Sequence, residues 1–378
     1  MLMERGNLFM KTQFQRCTRC IMDNSSDPYI KFDEEGKCSY CSTALNLQKN
    51  WYFPNAQGQK KIEDMVQVLK HEGQGKKYDC LMGISGGLDS SYLAYLGTQK
   101  WGLRVAAVHI DDGYDTEVSK KNIQNLCEKA KIELVTIYPD AEQYNALLKA
   151  YVKAGVPNLA APQDNILFAF LYRFAHENKL KYFLSGSNFA LECILQKGNT
   201  GSAYDLKNLR DIHQKYGEEP IDKLQFTSSM RKVIDKWLLG WKTICPLDYI
   251  DYNRDKAFKE LNEFCGFEYY GRKHLENYLT AFIQLYWFPK RFHVDKRTSH
   301  LSSMIVSGQM TREQALEELS QPLYEEKYMD DVKKLISQNI GISLDDLEEC
   351  VKAPIRQHSD FKQEKLEPFL KKIYMRFK

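Results

Sequence analysis

The residues best suited to chemistry form the run Ser85-Gly86-Gly87-Leu88-Asp89-Ser90, directly after the apolar run 80–84. A turn between a strand and a helix presents backbone N–H groups to an anion, and the helix N-terminus adds partial positive charge. The two glycines let the backbone approach the anion closely. Ser85 and Ser90 add hydroxyl donors, and Asp89 is a candidate Mg²⁺ ligand. The run predicts a loop that binds phosphate or pyrophosphate.

This run is neither G-x-x-x-x-G-K-[ST] nor G-x-G-x-x-G, the two common phosphate-binding glycine patterns. Ser-Gly-Gly-x-Asp-Ser resembles the PP-loop of ATP pyrophosphatases, enzymes that split ATP between its α and β phosphates and adenylate an oxygen. An ordinary turn with a helix N-cap is the alternative, because Ser and Asp favour both. Its position between a strand and a helix favours the phosphate loop.

Four of the ten cysteines form two C-x₂-C pairs, Cys17/Cys20 and Cys38/Cys41, separated by 17 residues. This spacing is typical of a zinc ribbon, in which two tight turns direct four thiolates at one ion. Four protein ligands leave no open position, so we expect a structural site. A redox pair and an iron–sulfur cluster are the alternatives. The other cysteines are scattered and predicted to be small buried residues: Cys80, Cys127, Cys193, Cys245, Cys265 and Cys350.

The elements that must position the loop alternate between strand and helix. Strand-like runs lie at 78–84, 104–110, 133–138, 181–185 and 242–245, and a short one lies at 29–32. Helical spacing follows at 61–70, 116–130, 144–154 and 164–178. This alternation predicts an α/β fold with a doubly wound parallel sheet. Such sheets bind ligands at the carboxyl ends of their strands, and polar residues occur there three times: 85–90, 111–113 and 185–188.

The remainder of the chain is predicted to be helical, with runs at 255–264, 275–287, 311–320, 327–338 and 361–374. We expect a zinc ribbon at 1–50, an ATP-binding α/β domain at 51–255 and a helical substrate or partner region at 256–378. Between two helices, residues 289–300 carry four Lys/Arg and two His. This segment is either a solvated basic loop or a site for an anionic substrate.

Composition limits the function classes. The 378 residues include 53 basic and 50 acidic ones, a net charge of +3, too balanced to indicate nucleic-acid binding. No apolar run is long enough for a membrane span, and the N-terminal residues do not have the pattern of a signal peptide. Together with the unpaired spacing of most cysteines, this predicts a cytoplasmic protein in a reducing compartment.

The ribbon Cys-Thr-Arg-Cys…Cys-Ser-Tyr-Cys, the loop Gly83–Ser91 and the later Lys290–Arg297 stretch together resemble the N-acetyl sugar amidotransferase family. This is the WbpG/PseA type, which acts in bacterial surface-polysaccharide, including LPS O-antigen, and flagellin-glycan biosynthesis. The resemblance implies a PP-loop, HUP-like fold and the use of ATP, Mg²⁺ and a structural Zn²⁺. It also implies conversion of an acetamido group on a nucleotide-linked or acidic sugar to an acetamidino group, with ammonia as the nitrogen source.

The resemblance also implies site residues. The nucleotide is expected to contact the loop and the neighbouring strand ends: Ile84, Ser85, Gly86, Gly87, Asp89, Ser90, His109, Asp111 and Gly186. Asp89 and Ser85 are expected to act in catalysis, with Arg291 and His293 as candidates for binding the sugar's anionic group or the phosphates. A surface position is the alternative for His293.

The chain has no glutaminase signature of its own. The resemblance therefore implies partners that supply ammonia, a HisH-like glutaminase and a HisF-like cyclase relative. A tRNA-thiolating PP-loop enzyme with a zinc ribbon is the main alternative, and it requires a basic surface and reactive cysteines. A non-catalytic ribbon scaffold is the other, and the intact loop argues against it.

Overall fold

The computed structural model describes residues 13–365 except 28 and 238. Its centre is a five-stranded, wholly parallel sheet in the order β3-β2-β1-β4-β5. The strands are β1 (Cys80–Gly83), β2 (Val105–Ile110), β3 (Glu133–Ile137), β4 (Tyr182–Leu184) and β5 (Lys242–Ile244). All five lie where the sequence predicts them. Every residue of β2 is buried, as a continuous apolar run in a sheet covered on both faces requires.

Helices cover both faces of this sheet. In chain order they are α1 (Ser39–Trp51), α2 (Ala56–Glu72), α3 (Leu88–Tyr95), α4 (Glu117–Ala130), α5 (Ala141–Ala154), α6 (Ala161–Glu177), α7 (Phe189–Glu192), α8 (Leu206–Tyr216), α9 (Ser229–Trp237) and α10 (Arg254–Cys265). Local signals set several ends. The side chains of Thr116 and Asp140 accept hydrogen bonds from the first turns of α4 and α5, and Gly155 ends α5 in a left-handed conformation.

The C-terminal part is helical, as predicted. It contains α11 (Tyr278–Phe282), α12 (Arg297–Val306), α13 (Arg312–Ser320), α14 (Glu326–Ile340) and α15 (Leu344–Lys352). A π-helical segment, Ile283–Phe292, continues α11 through Pro289. Thr311 and Gln314 form the capping box that begins α13.

Three apolar cores result. Alternate side chains of β1 point to opposite faces: Met82 joins a core with the ribbon, α2 and α3, whereas Leu81 joins a smaller core with α6. A third core unites α5, α8 and the C-terminal helices around Trp287. The C-terminal region therefore packs against the α/β part along an extensive apolar contact.

Some predicted elements are wrong. The short strand at 29–32 is only an isolated bridge between Phe32 and Cys38. The predicted helix 275–287 begins later and extends to Phe292, so residues 289–300 are not a loop: helices occupy both ends. Of the predicted helix 361–374, residues 361–365 are not helical and the others lie outside the described residues. Phe361, the first residue of this predicted helix, is apolar because it packs into the third core.

Among the described residues, none of the helices is both long enough and apolar enough to cross a membrane.

Candidate active site

A cleft of about 340 Å³ opens at the carboxyl ends of β1, β2 and β4. The loop after β1 forms its floor, and the ends of β2 and β4 contribute His109 and Gly186. Apolar side chains form one wall: Leu167, Phe168, Leu171 and Phe183. The opposite wall is polar and comes from residues 270–280, which precede and begin α11. A flat apolar wall next to an anion-binding loop suits a nucleotide, whose base is apolar on its faces.

The loop backbone is shaped by close contacts that exclude side chains. Gly86 adopts φ +76°, and a Cβ there would lie 2.7 Å from Ser119. A Cβ on Gly87 would lie 2.6 Å from Glu276 Oε1, and one on Gly186 would lie 3.0 Å from the Ser90 backbone nitrogen. Gly87 precedes α3 and offers no side chain to cap it. The helix N-terminus is thus uncapped by its own N-cap side chain, although the Leu88 nitrogen donates to the Tyr270 hydroxyl at 2.8 Å; an anion is favoured at such an N-terminus.

Asp89, in the first turn of α3, is not a free carboxylate. Tyr252 donates a hydrogen bond to one of its oxygens, and Lys273 forms an ion pair with the other. Lys273 also pairs with Glu192 at 3.0 Å. Burial opposes the charged form of Lys273, but the two carboxylates outweigh it and raise its pKa. Lys273 and His274 in turn lower the pKa of Glu192 against the effect of burial. Asp89, Lys273 and Glu192 thus form an ion-paired set beside the loop, with two carboxylates sharing one ammonium group.

Glu276 is the buried acid of the polar wall, and it touches the loop directly. Its Oε1 accepts a hydrogen bond from the Ser85 hydroxyl at 3.3 Å. Its Oε2 is buried and has no hydrogen-bond partner among the described residues. Burial raises the pKa of this carboxyl. A carboxyl with a raised pKa and a free oxygen on a cleft wall is suited to proton transfer.

Backbone contacts hold Glu276 in place. The carbonyl of Glu276 accepts hydrogen bonds from the Thr116 nitrogen at 3.0 Å and the Thr116 hydroxyl at 3.1 Å. The Tyr278 nitrogen donates to the Tyr114 carbonyl at 2.7 Å. The segment that begins α11 is thus attached to the loop after β2, so a distant part of the chain completes the cleft.

His109 and the acids after β2 form a second buried network. The His109 ring nitrogens lie 2.8 Å from the Ile84 carbonyl and 2.9 Å from Asp115 Oδ2. Burial disfavours the imidazolium, but these acceptors outweigh it and raise the pKa of His109. Burial, reinforced by Asp115, raises the pKa of Asp112 to about 6. His109 lines the cleft as expected, and its contacts join the ends of β1 and β2.

Most of the residues predicted to contact the nucleotide line the cleft, and two do not. Ile84, Ser85, Gly87, Asp89, Ser90, His109 and Gly186 all line the cleft. Gly86 shapes the turn behind it. Asp111 lies outside the lining and accepts a hydrogen bond from the Gly113 nitrogen at 3.1 Å; Asp115, four residues further on, occupies the cleft wall in its place.

The expectations for Arg291 and His293 are corrected by the structure. Arg291 is 2% exposed and does not reach the cleft. Its guanidinium donates to five backbone carbonyls: those of Gly155, Cys350, Val351, Ala353 and Pro354. These carbonyl contacts, in a buried place away from the cleft, give Arg291 a structural role and not an anion-binding one. His293 is exposed, with φ +56°, where the π-helical segment ends.

The four-cysteine cluster forms as predicted, and its four cysteines belong to the first core. All four sulfurs are buried and lie within 4.8 Å of one another. The Cys17 and Cys41 sulfurs are 3.7 Å apart, and those of Cys20 and Cys38 are 3.6 Å apart. A tetrahedral ion with metal–sulfur bonds of about 2.3 Å separates its ligands by about 3.8 Å. The cluster is therefore compatible with zinc.

Sequence reasoning missed Lys273, Glu276 and Asn277. They lie in the run 268–277 between α10 and α11, which has charged and aromatic residues and whose last three residues fall in the predicted helix 275–287. That run of polar residues is a weak signal, because a solvated linker has the same composition.

The parallel sheet, the glycine loop and the cleft at the strand ends define a PP-loop ATP-binding fold. In agreement, residues 60–198 match the NAD synthase family. Residues 276–376 match the family described as LPS biosynthesis protein WbpG-like, C-terminal domain. Together the two matches support similarity to the WbpG-type PP-loop family.

Individual relatives are more distant. An uncharacterized protein of Methanocaldococcus jannaschii, MJ1599, is 26% identical over 172 residues, which is 45% of this chain and 58% of that protein. The glutamine-hydrolyzing GMP synthase of Vesicomyosocius okutanii is 25% identical over 220 residues, 54% of this chain and 40% of that enzyme. The chain thus spans about half the length of these curated relatives. Among solved structures, the U34-tRNA thiolase NcsA from Methanococcus maripaludis with its [4Fe-4S] cluster is 18% identical with a TM-score of 0.33, covering 69% of this chain and 80% of its own.

Proposed function

We propose that the protein is an ATP-dependent, AMP-forming sugar amidotransferase. It converts the acetamido group of an N-acetyl sugar to an acetamidino group, in the synthesis of LPS O-antigen, another bacterial surface polysaccharide or a flagellin glycan. One observation carries this proposal: the WbpG-like segment begins at Glu276, the residue whose carboxylate accepts a hydrogen bond from Ser85 of the PP-loop. The region that distinguishes the family therefore supplies part of the ATP site.

The proposed chemistry overcomes the low reactivity of an amide. The acetamido oxygen attacks the α-phosphorus of ATP, an oxygen–phosphorus bond forms, and pyrophosphate leaves. Ammonia then adds to the activated carbon, a proton is lost from the new nitrogen, and AMP departs with the former amide oxygen. The product is an amidine. Both steps place negative charge on phosphate oxygens, which the loop N–H groups and the α3 N-terminus are oriented to stabilise.

Named side chains have complementary roles in this scheme. Ser85 and Ser90 direct hydroxyls toward the departing pyrophosphate. Lys273 compensates the negative charge of Asp89. Asp89 remains the candidate ligand for a Mg²⁺ that accompanies ATP, and binding of that ion would replace the ion pair with Lys273. Glu276 receives the proton that the attacking nitrogen loses, since the residue lines the cleft and its Oε2 has no hydrogen-bond partner among the described residues.

For the substrates and partners we propose those that the family resemblance implies. The sugar is nucleotide-linked or acidic, and ammonia comes from a HisH-like glutaminase with a HisF-like subunit. We also propose that the four-cysteine cluster holds zinc rather than an iron–sulfur cluster. Sulfur separations of 3.6–3.7 Å support a single ion, because a cluster of several irons holds its cysteines further apart.

The cysteines argue against the alternative of tRNA thiolation. Among the described residues that line the cleft, none is a cysteine. Burial raises the pKa of Cys245, which lies near Ser185, to about 11. It likewise raises the pKa of Cys193 to about 12. Neither thiol has the thiolate character that a reactive cysteine needs at neutral pH.

The proposal is tested by incubating the full chain with ATP, Mg²⁺, ammonium chloride and a panel of acetamido sugars. We expect AMP and pyrophosphate, together with a sugar product about one mass unit lighter, as replacement of oxygen by NH requires. Absence of AMP with every sugar, at ammonium concentrations that saturate other amidotransferases, would contradict the proposal.

Glu276→Gln tests the proposed proton acceptor. We expect turnover to fall at least about 100-fold, because the amide cannot take a proton, while ATP binding and the melting temperature change little. Glu263→Gln, at an exposed position on α10, is the matched control and should keep normal turnover. Near-normal turnover of Glu276→Gln would remove Glu276 from the mechanism.

A further inference from the structure

A second, smaller cavity of about 60 Å³ adjoins the cleft behind the loop. The two spaces share four wall residues: Leu88, Asp89, Tyr270 and Lys273. The small cavity is otherwise walled by apolar side chains, including Leu191, Leu301 and Met304, and by polar groups of α10 and α12. Nothing in the mechanism described above uses it.

A third space lies at the surface beside this inner cavity. It has a volume of about 390 Å³ and shares Arg254, Met304 and Glu318 with the inner cavity. We call it the mouth. Three carboxylates, Asp255, Glu317 and Glu318, line it. The mouth, the inner cavity and the cleft therefore follow one another, each sharing walls with the next.

We propose that these three spaces form a route by which ammonia reaches the adenylated substrate without crossing the open cleft. The inference rests on the proposed function, since it names the path of that reaction's nitrogen donor. In the proposed reaction, sugar and nucleotide occupy the open side of the cleft. Ammonia that enters through a separate opening does not have to pass them.

Size favours a molecule such as ammonia. A space of 60 Å³ holds a few molecules the size of water, whereas a sugar ring or a nucleotide needs far more. The basic side chains of the inner cavity are already engaged: Arg272 donates to the carbonyls of Leu323 and Pro322, and Arg297 pairs with Asp295. They are held in place by the protein and do not form an open carboxylate-binding site.

Charge favours entry of the neutral form. The carboxylates of the mouth attract ammonium, whereas the inner cavity is lined by more cationic groups than carboxylates and so favours a neutral molecule over a further cation; the cationic groups are Arg254, Arg272, Lys273 and Arg297, and the carboxylates are Asp89 and Glu318. Ammonium gathered at the mouth is in equilibrium with NH₃ through proton exchange with water, and NH₃ continues inward. NH₃ is also the form whose lone pair can attack the activated carbon.

Two side-chain contacts close the route. Arg254 Nη1 lies 3.9 Å from Met304 Sδ between the mouth and the inner cavity. The Asp89–Lys273 ion pair closes the end next to the cleft. Met and Lys are unbranched side chains with several rotatable bonds, so each contact can open by rotation about side-chain bonds without movement of the backbone.

Met304→Phe tests the route, with the volume-conserving Met304→Leu as its matched control. We measure the ammonium concentration dependence of product formation, and separately the sugar-dependent ATP–pyrophosphate exchange without ammonia. We expect the KM for ammonium to rise about tenfold or more in Met304→Phe and to stay near the wild-type value in Met304→Leu. Exchange stays normal in both variants, because adenylation needs no ammonia.

Glu318→Trp blocks the mouth from a half-buried position and serves if Met304→Phe fails to fold. Glu318→Gln removes the charge without adding bulk, so it separates blockage of the mouth from loss of the carboxylate. An unchanged KM for ammonium in the folded blocking variants would overturn the route while the exchange activity still supports the proposed function. Absence of sugar-dependent exchange in the wild-type protein would instead refute the proposed function, and the assignment of ammonia with it.

Discussion

Gly87 and Glu276 lie on the two sides of one contact, and the contact links the phosphate loop to the proposed acid–base group. A Cβ at position 87 would lie 2.6 Å from Glu276 Oε1. Gly83, at the end of β1, has no such neighbour: a Cβ there would lie 3.9 Å from Phe183. Neither glycine has a positive φ. The two positions therefore differ in what surrounds them and not in backbone conformation.

Gly87→Ala should weaken ATP binding and lower turnover by about tenfold or more, because the new methyl group displaces Glu276 or the loop. Gly83→Ala, the matched control, should bind ATP as the wild type does. Nucleotide titration monitored by calorimetry, followed by turnover, measures both effects. Equal affinities of the two variants would show that the contact at Gly87 is unimportant.

Asp164, on the cleft wall at the start of α6, gives a pH dependence of stability. Burial raises the pKa of Asp164 from 3.8 to about 6. Between these values the folded protein retains a proton that the unfolded chain has lost. The free energy of unfolding therefore falls as pH rises through this window, by at most about 3 kcal/mol and less where solvent screens the group.

The amide of Asp164→Asn has no such proton to lose. The melting temperature of the variant minus that of the wild type should therefore increase between pH 4 and 6 and stay constant above pH 6. Asp64→Asn, at an exposed position on α2, should show no such gain. Thermal unfolding across this pH range measures the difference. A parallel pH dependence in Asp164→Asn and the wild type would contradict the raised pKa.

Residues with local signatures were predictable from the sequence, and residues defined by tertiary contacts were not. Ser85, Gly87 and Asp89 lie in one short motif whose spacing reflects its chemistry. Glu276 acquires its role only because the backbone of 276–278 pairs with that of 114–116. Arg291 misled for the same reason: its charge suggested an anion, but five carbonyls from distant segments surround it.

At the level of elements, the ribbon is attached to the C-terminal helices and not only to its own chain neighbours. Arg312, the first residue of α13, donates to the carbonyls of Cys20 at 3.1 Å and Cys17 at 3.0 Å. The Ile21 nitrogen donates to the Ser302 hydroxyl of α12 at 3.1 Å. The cysteine cluster thereby supports α12 and α13, two helices that contribute residues to the mouth.

Cys17→Ser should lose the bound metal and lower the melting temperature by several degrees, because the ligand set is incomplete and the short ribbon has little core of its own. Cys265→Ser is the control, since Cys265 is outside the cluster and its hydrogen bond to the Leu261 carbonyl suits a hydroxyl equally. Elemental analysis and thermal unfolding measure the two effects. A metal-free Cys17→Ser variant of normal stability would contradict a structural role.

The strands were easier to predict than the helices around them. The central strands β1 and β2 are continuous apolar runs, since a strand buried on both faces has no polar side, whereas the edge strands β3 and β5 carry polar residues and are partly exposed. The π-helical segment Ile283–Phe292 was not predictable, because a proline at 289 normally ends a helix; here the wider turn tolerates it. The domain boundaries at 50 and 255 remain predictions.

On the scale of the whole molecule, Arg291 joins the end of α5 to the end of α15 through its five carbonyl contacts, next to Trp287. Arg291→Met should lower the free energy of unfolding by about 3–5 kcal/mol, because buried carbonyls lose their donors. Lys290→Met, exposed on the same segment, should cost little. Urea unfolding gives both values. Lost turnover with unchanged stability would instead restore the anion-binding role.

The contact between Ser85 and Glu276 joins residues 191 positions apart, and this separation sets an order of events during translation. The four thiols of the ribbon span only 25 positions, so they meet soon after they leave the ribosome. The PP-loop and all five strands emerge next, yet the polar wall of the cleft does not exist until residue 276 follows. A nascent chain therefore assembles its four-cysteine cluster early and its cleft late. A chain truncated before residue 276 would contain the five strands of the sheet but not the polar wall of the cleft.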